Sequence, residues 1–115
     1  ARRDTGDKSF LSKDEAIAQI PDLLMEIQKG LFQQALIFQQ ENTHKVSTYD
    51  ELKKVIKEGG FVRCGWDGTD ETEAKVKEDI KATIRCIPMS ENPEGLTCVY
   101  SGKPAKHEVI YAKAY

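Results

Sequence analysis

Between Ser12 and Asn42 the apolar side chains fall at Ile17, Ile20, Leu24, Ile27, Leu31, Ala35 and Phe38, the three-and-four spacing of one buried helical stripe. Ser12-Lys13-Asp14-Glu15 supplies the start. The Ser12 hydroxyl accepts from the Glu15 amide while the Glu15 carboxylate reaches back to the Ser12 N–H, a capping box. Carried to about Asn42, the helix spans roughly 45 Å at 1.5 Å per residue. Pro21 lacks an N–H and clashes with the carbonyl of Ile17, so a kink or a restart is expected there, with Gly30 a second soft point. Leu23, Phe32, Leu36 and Ile37 lie off the stripe and form a second apolar face, expected to meet another domain of a parent protein.

The pattern shortens after that helix. Residues 41–46 are polar and aperiodic, which predicts a linker. Thr48-Tyr49-Asp50-Glu51 is a second capping box, followed by Leu52, Val55 and Ile56 on one side of a short helix that Gly59-Gly60 ends. Phe61–Trp66 reads as a strand, Asp67-Gly68 as a turn, and Thr69 or Asp70 caps a third helix with Ala74, Val76 and Ile80 inward. A second strand is predicted over 83–87 and a Pro- and Gly-bearing loop over 88–95. Leu96–Tyr100 and His107–Tyr111, joined by Ser-Gly-Lys-Pro-Ala, read as an antiparallel hairpin. Residues 1–10 carry neither period and are expected to form a tail, with Ala1 to Arg3 the last rung of a missing strand as the alternative. The fold class is α+β: a long kinked N-terminal helix, then a small α/β module with a short mixed or antiparallel sheet.

At 115 residues the chain suits one core, burying about two-thirds of the unfolded surface. A start on Ala1 in a charged segment adds the expectation of a piece cut from a longer polypeptide. Seventeen Lys and Arg against 19 Asp and Glu give a formal charge of -2 without a basic cluster, which argues against an autonomous nucleic-acid binder. No run reaches the roughly 20 apolar residues of a membrane span, and ARRDTGDKSF lacks the apolar core of a secretory signal. A cytoplasmic protein is expected. Cys64, Cys86 and Cys98 form no disulfide framework. With His44 and His107 they can be sorted into a zinc site, but no Cys-x-x-Cys knuckle is present, and buried thiols with surface histidines is the favoured reading. Asp67, Asp70, Glu71 and Glu73 cluster at a helix start, where carboxylates complement the macrodipole.

ARRDTGDK at the start, Phe61-Val62-Arg63-Cys64-Gly65 before an acidic turn, Cys86-Ile87-Pro88, Cys98-Val99 before Gly102-Lys103-Pro104-Ala105-Lys106, and a final Tyr115 occur in this order along essentially the whole chain. In this set the sequence resembles the C-terminal domain of prolyl-tRNA synthetases of the archaeal/eukaryotic-like class. The resemblance implies that residues 1–10 are the trailing end of the anticodon-binding domain, 11–46 a helical connector and 47–115 an α/β module that in many relatives holds a structural zinc. The parent enzyme activates proline with ATP and Mg and attaches it to tRNA(Pro). Its catalytic and anticodon-binding domains are the expected partners, and it dimerises through the catalytic domain. This fragment is expected to be catalytically inert.

Family members with the metal carry a Cys-x4-Cys pair and a second pair spaced Cys-x-Cys or Cys-x-x-Cys. By that resemblance the ligand positions fall on Cys64 and Thr69, and on Cys98 and Tyr100, or Ser101 in the wider spacing. Half the thiolates are missing, so zinc is expected to be absent, with Trp66 and Tyr100 filling its place by packing. Cys64 and Cys98 are still expected to lie close together, open to a disulfide on oxidation if their Cα atoms approach within about 7 Å and reduced in a cytosol. The Tyr115 carboxylate is expected near the parent active site. Two alternatives stand beside this reading. One is an appended tRNA- or protein-binding module using Lys103, Lys106 and Lys113 with Tyr100, Tyr111 and Tyr115. The other is a small enzyme with Cys64 as nucleophile, for which no histidine is placed beside the thiol.

Overall fold

The computed structural model describes residues 1–115. The architecture is α+β, and the chain divides into two compact units, residues 1–39 and 40–115.

In the first unit the opening residues form a hydrogen-bonded turn where the sequence suggested a tail. Gly6 N–H donates to the Arg2 carbonyl at 3.0 Å and Arg2 N–H to that of Asp7 at 2.7 Å. The Arg2 guanidinium then pairs with Asp4 at 2.8 Å and with Glu26 at 2.9 Å, fixing the turn to helix α1 (Lys13–Glu41). The capping box at Ser12 forms, with Ser12 N–H on Glu15 Oε2 at 2.9 Å and Glu15 N–H on Ser12 Oγ at 3.4 Å. Helix α1 runs unbroken through Pro21 and does not restart there, so one missing backbone hydrogen bond is tolerated within 29 residues. None of its residues is buried. The stripe expected to be buried stands open, with Ile17 and Leu24 each 61% and Phe38 66% exposed; Ile27 alone of it is half-covered, as are Ala16 and Leu23 off the stripe.

The second unit is organised by a four-stranded sheet in the order β1-β2-β4-β3, built from β1 (Thr43–Lys45), β2 (Phe61–Trp66), β3 (Ala82–Cys86) and β4 (His107–Lys113). Strand β1 occupies the predicted linker. It pairs in parallel with β2, Thr43 opposite Phe61, and its residues stay largely exposed, so no apolar alternation announced it. Helix α2 (Tyr49–Glu58) carries the chain from β1 to β2 and buries Leu52 and Ile56, one turn apart. Its capping box at Thr48 forms as read, and Gly59 ends it at φ +96°. Helix α3 (Asp70–Ile80) joins β2 to β3 and corrects the predicted inward face: Thr72 and Val76 are buried, Ile80 is half-buried, and Ala74 is exposed.

The predicted hairpin of 96–100 with 107–111 does not form. Residues 96–98 instead double back on 103–105, with Ala105 N–H on the Leu96 carbonyl at 2.9 Å and Cys98 N–H on that of Lys103 at 2.7 Å. Strand β4 is thereby free to enter the middle of the sheet, antiparallel to β2 on one side and to β3 on the other. Both its edges are then used, and no position beside it remains for 96–100. In this register Val62 opposes Tyr111 and Cys64 opposes Val109, and these four join Leu52, Ile56, Val76 and Ala82 in one core under α2 and α3. The opposite face carries Arg63 and Glu108, paired at 2.6 Å.

Candidate functional site

Two loops meet at the end of β2. Gly65 sets their distance: a Cβ there would collide with the Thr97 carbonyl oxygen and lie 2.9 Å from Ala105 Cβ, so only glycine lets 97–105 lie against the strand. Val99 N–H donates to the Gly65 carbonyl at 3.1 Å, Lys106 N–H to that of Trp66 at 2.8 Å, and Cys98 bridges Gly65 in parallel. Cys64 near the end of β2 and Cys98 on the second loop, each 2% exposed, are in this way brought to neighbouring positions. The 98–102 turn closes tightly around its thiol, with Gly102 N–H on the Cys98 carbonyl at 2.9 Å and Ser101 N–H directed at Cys98 Sγ at 3.5 Å.

Asp67 is the hub of this junction. Its Oδ1 accepts from the Thr69 hydroxyl at 2.8 Å and from the Thr69 N–H at 3.2 Å. Its Oδ2 accepts from the Ser101 hydroxyl at 2.6 Å and from the Thr72 hydroxyl at 2.9 Å. Partial burial would push the carboxyl up, but the bonds from Ser101, Thr69 and Thr72 outweigh it and hold the group down to about 2. Thr69 sits at the N-cap of α3 without capping it by its side chain, because its hydroxyl is committed to Asp67. Trp66 Nε1–H donates to the Thr69 carbonyl at 3.2 Å and ties the same turn from the strand side. The turn at Asp67-Gly68 is legible in the sequence, and the structure makes it an Asx turn. The reach of Ser101 across 34 positions is not, and it gives Asp67 a role beyond the dipole complement it shares in sequence with Asp70, Glu71 and Glu73.

The ligand positions inferred by resemblance divide in the structure. Cys64, Thr69, Cys98 and Ser101 converge on this junction. Tyr100 does not: its ring packs edge-on against Tyr49 at 5.0 Å, on the side where Tyr49 donates to Asp79 and Lys53 lies over the Tyr49 ring. The packing role expected of Tyr100 therefore falls to the Asp67 hydrogen bonds, while Trp66 stays packed on the core. The donors present do not fit a four-coordinate zinc shell. Only two of the four positions carry thiols, the hydroxyls at the other two are already committed to Asp67, and no three of His, Cys, Asp or Glu gather around one point.

Burial, with Cys98 and Glu108 nearby, pushes the Cys64 thiol up to about 12, the wrong direction for a nucleophile. Tyr111 is fully buried and its hydroxyl has no hydrogen-bond partner. A tyrosine in that position cannot stack on a nucleic-acid base, so the basic and aromatic set Lys103, Lys106, Lys113, Tyr100, Tyr111 and Tyr115 does not form one surface. Tyr115 follows β4 with its ring fully exposed. On the other sheet face, Glu108 is held below the usual carboxylate range by Arg63, despite burial, and accepts from Asn92 N–H at 3.1 Å. Arg63 also donates to the Ser90 carbonyl at 2.8 Å, so this pair anchors the 88–95 loop.

Residues 49–115 match the family model described as prolyl-tRNA synthetase, C-terminal. Over its whole length the chain is 53% identical to a proline–tRNA ligase of Chloroherpeton thalassium, of which it covers 25%. It is 51% identical to that of Prosthecochloris aestuarii, again over its whole length and 25% of the relative. For the ligase of Christiangramia forsetii the identity is 45%, over the whole chain and 24% of the relative. The chain thus spans about a quarter of the length of the curated relatives it matches.

Proposed function

The chain belongs to the prolyl-tRNA synthetase C-terminal family, and from that premise we propose that it is the bracing domain of an enzyme that activates proline with ATP and transfers it to tRNA(Pro). The observation that carries the bracing role is α1. A helix of 29 residues with no buried side chain carries Ile17, Ile20, Leu24, Leu31, Phe32, Ile37 and Phe38 at half exposure or more. Apolar area of that extent on one element is stabilised only by a partner. The three quarters of its relatives that the chain does not cover provide one, in the form of the anticodon-binding and catalytic domains.

On this reading residues 1–10 end the anticodon-binding domain, 11–46 connect, and 47–115 form the module. The Tyr115 carboxylate docks near the catalytic centre, and the parent works as a cytoplasmic homodimer. Catalytic groups lie outside residues 1–115, and the module holds together without zinc.

The test is Leu24→Asp together with Phe32→Asp in the full-length enzyme. Aminoacylation and thermal stability should both fall, while the same pair in residues 1–115 leaves the melt of the sheet module in place. Full activity in the doubly substituted enzyme would refute the brace. Deleting Tyr115 from the full-length enzyme should lower prolyl-adenylate formation, and unchanged kinetics would refute the docking of its carboxylate.

A further inference from the structure

We propose that Asp67, with Thr69, Thr72 and Ser101, is a metal-free clasp that holds the junction of the two knuckle loops where a structural cation would otherwise hold it. The proposal rests on the family reading only for identifying positions 69 and 101 as ligand positions. The rest is geometry. A zinc knuckle needs two short loops, each presenting a sulfur to a common centre and each turned tightly enough to direct backbone N–H groups at that sulfur. Here Cys64 on β2, just before the first loop, and Cys98 on the second are buried at neighbouring positions, with the Ser101 N–H on Cys98 Sγ.

What bridges the loops is a carboxylate. Asp67 on the first loop takes the Ser101 hydroxyl of the second at 2.6 Å, and its remaining acceptor sites are filled by Thr69 and Thr72 from the start of α3. An anion with four donors around it is satisfied, and the two hydroxyls that bond it stand where a coordinating knuckle would carry thiolates. Clasp and four-thiolate metal site are therefore alternatives at the same two positions. Two hydroxyls at ligand positions and a carboxylate within reach of both constitute one alternative solution to closing the knuckle, charge-assisted hydrogen bonds in place of coordination bonds.

The experiment uses residues 1–115 and cobalt(II), whose thiolate charge-transfer absorption reports sulfur ligation, with thermal melts in parallel. The unsubstituted chain should show no such absorption at one equivalent, and Asp67→Asn should lower its melting temperature by about 5 °C. Thr69→Cys with Ser101→Cys should bind one equivalent of cobalt or zinc with thiolate absorption, and in that metal-loaded background Asp67→Asn should cost almost nothing. An equally large loss there would overturn the substitution, since it would show Asp67 acting independently of the knuckle. Stoichiometric cobalt ligation by the unsubstituted chain would overturn it outright. Where the double-cysteine variant does not fold, Ser101→Ala and Asp67→Asn answer the same question. Losses smaller in combination than in sum support the clasp, and fully additive losses refute it. Failure of the full-length enzyme to charge tRNA(Pro) would remove the family role and leave the clasp, as a hydrogen-bonded junction, where it is.

Discussion

Helices α1 and α2 are both amphipathic by sequence, yet α2 buries two residues completely within ten while α1 buries none within 29. Propensity does not separate them, and both start on a capping box that forms. They differ in whether a covering surface lies in their own unit. Helix α2 is followed at once by β2, and its Leu52 and Ile56 close over Val62 and Tyr111 of the same unit. An apolar stripe states that a helix is to be covered; it does not state that the covering surface is in the same stretch of chain. The same contrast recurs within the sheet module, where one face is closed by core packing and the other by the Arg63–Glu108 pair under the 88–95 loop.

The comparison breaks most sharply on a core truncation. Leu52→Ala should cost about 2–5 kcal/mol in denaturant unfolding of residues 1–115. A loss comparable to that of a surface substitution would mean that α2 is no better anchored than α1.

Removing Glu108 tests the second face. Glu108→Gln should cost about 2 kcal/mol at neutral pH, a bond to a charged partner being lost while Arg63 stays half-buried. Arg63 depresses the folded-state pKa of Glu108, so the stabilisation is fully present above the unfolded value of about 4.3 and is lost as pH falls through the lower, folded one. The gap between variant and unsubstituted chain should therefore close below about pH 4. A gap independent of pH would show that packing rather than ionisation is at stake.

Tyr111→Phe sharpens the picture of the core itself. It removes a buried hydroxyl without a partner and should raise stability by about 1 kcal/mol, whereas a drop would reveal a bond that the hydroxyl makes. Smallest of all is Leu24→Ala. In residues 1–115 it should move stability by less than about 0.5 kcal/mol, as at an exposed position, and in the full-length enzyme the cost should rise toward that of a core truncation. Equal small effects in both settings would remove the covering surface from the account. Thiol alkylation at neutral pH adds a check without substitution. The exposed Cys86 should react while Cys64 and Cys98 are protected until unfolding.

Local periodicity and end signals were enough for the helices, because capping boxes, the Gly59 stop and the three-and-four spacing are all encoded within a turn or two of where they act. Strand β2 and the α+β class followed in the same way, and the motif order was enough for the family. What tertiary structure alone decided has a common physical cause: it depends on groups distant along the chain. Strand β1 is made by backbone pairing with β2 and carries no side-chain signature. The 96–105 turn closes on itself while β4 has β2 and β3 on its two edges, pairings made by strands far apart in sequence. The exchange of Ala74 for Thr72 on the buried side of α3 follows from Asp67, which satisfies the Thr72 hydroxyl. Ser101 rather than Tyr100 reaches a carboxylate, one 34 positions away, and Coulomb and hydrogen-bond energies depend on distance in space, which spacing along a sequence does not record.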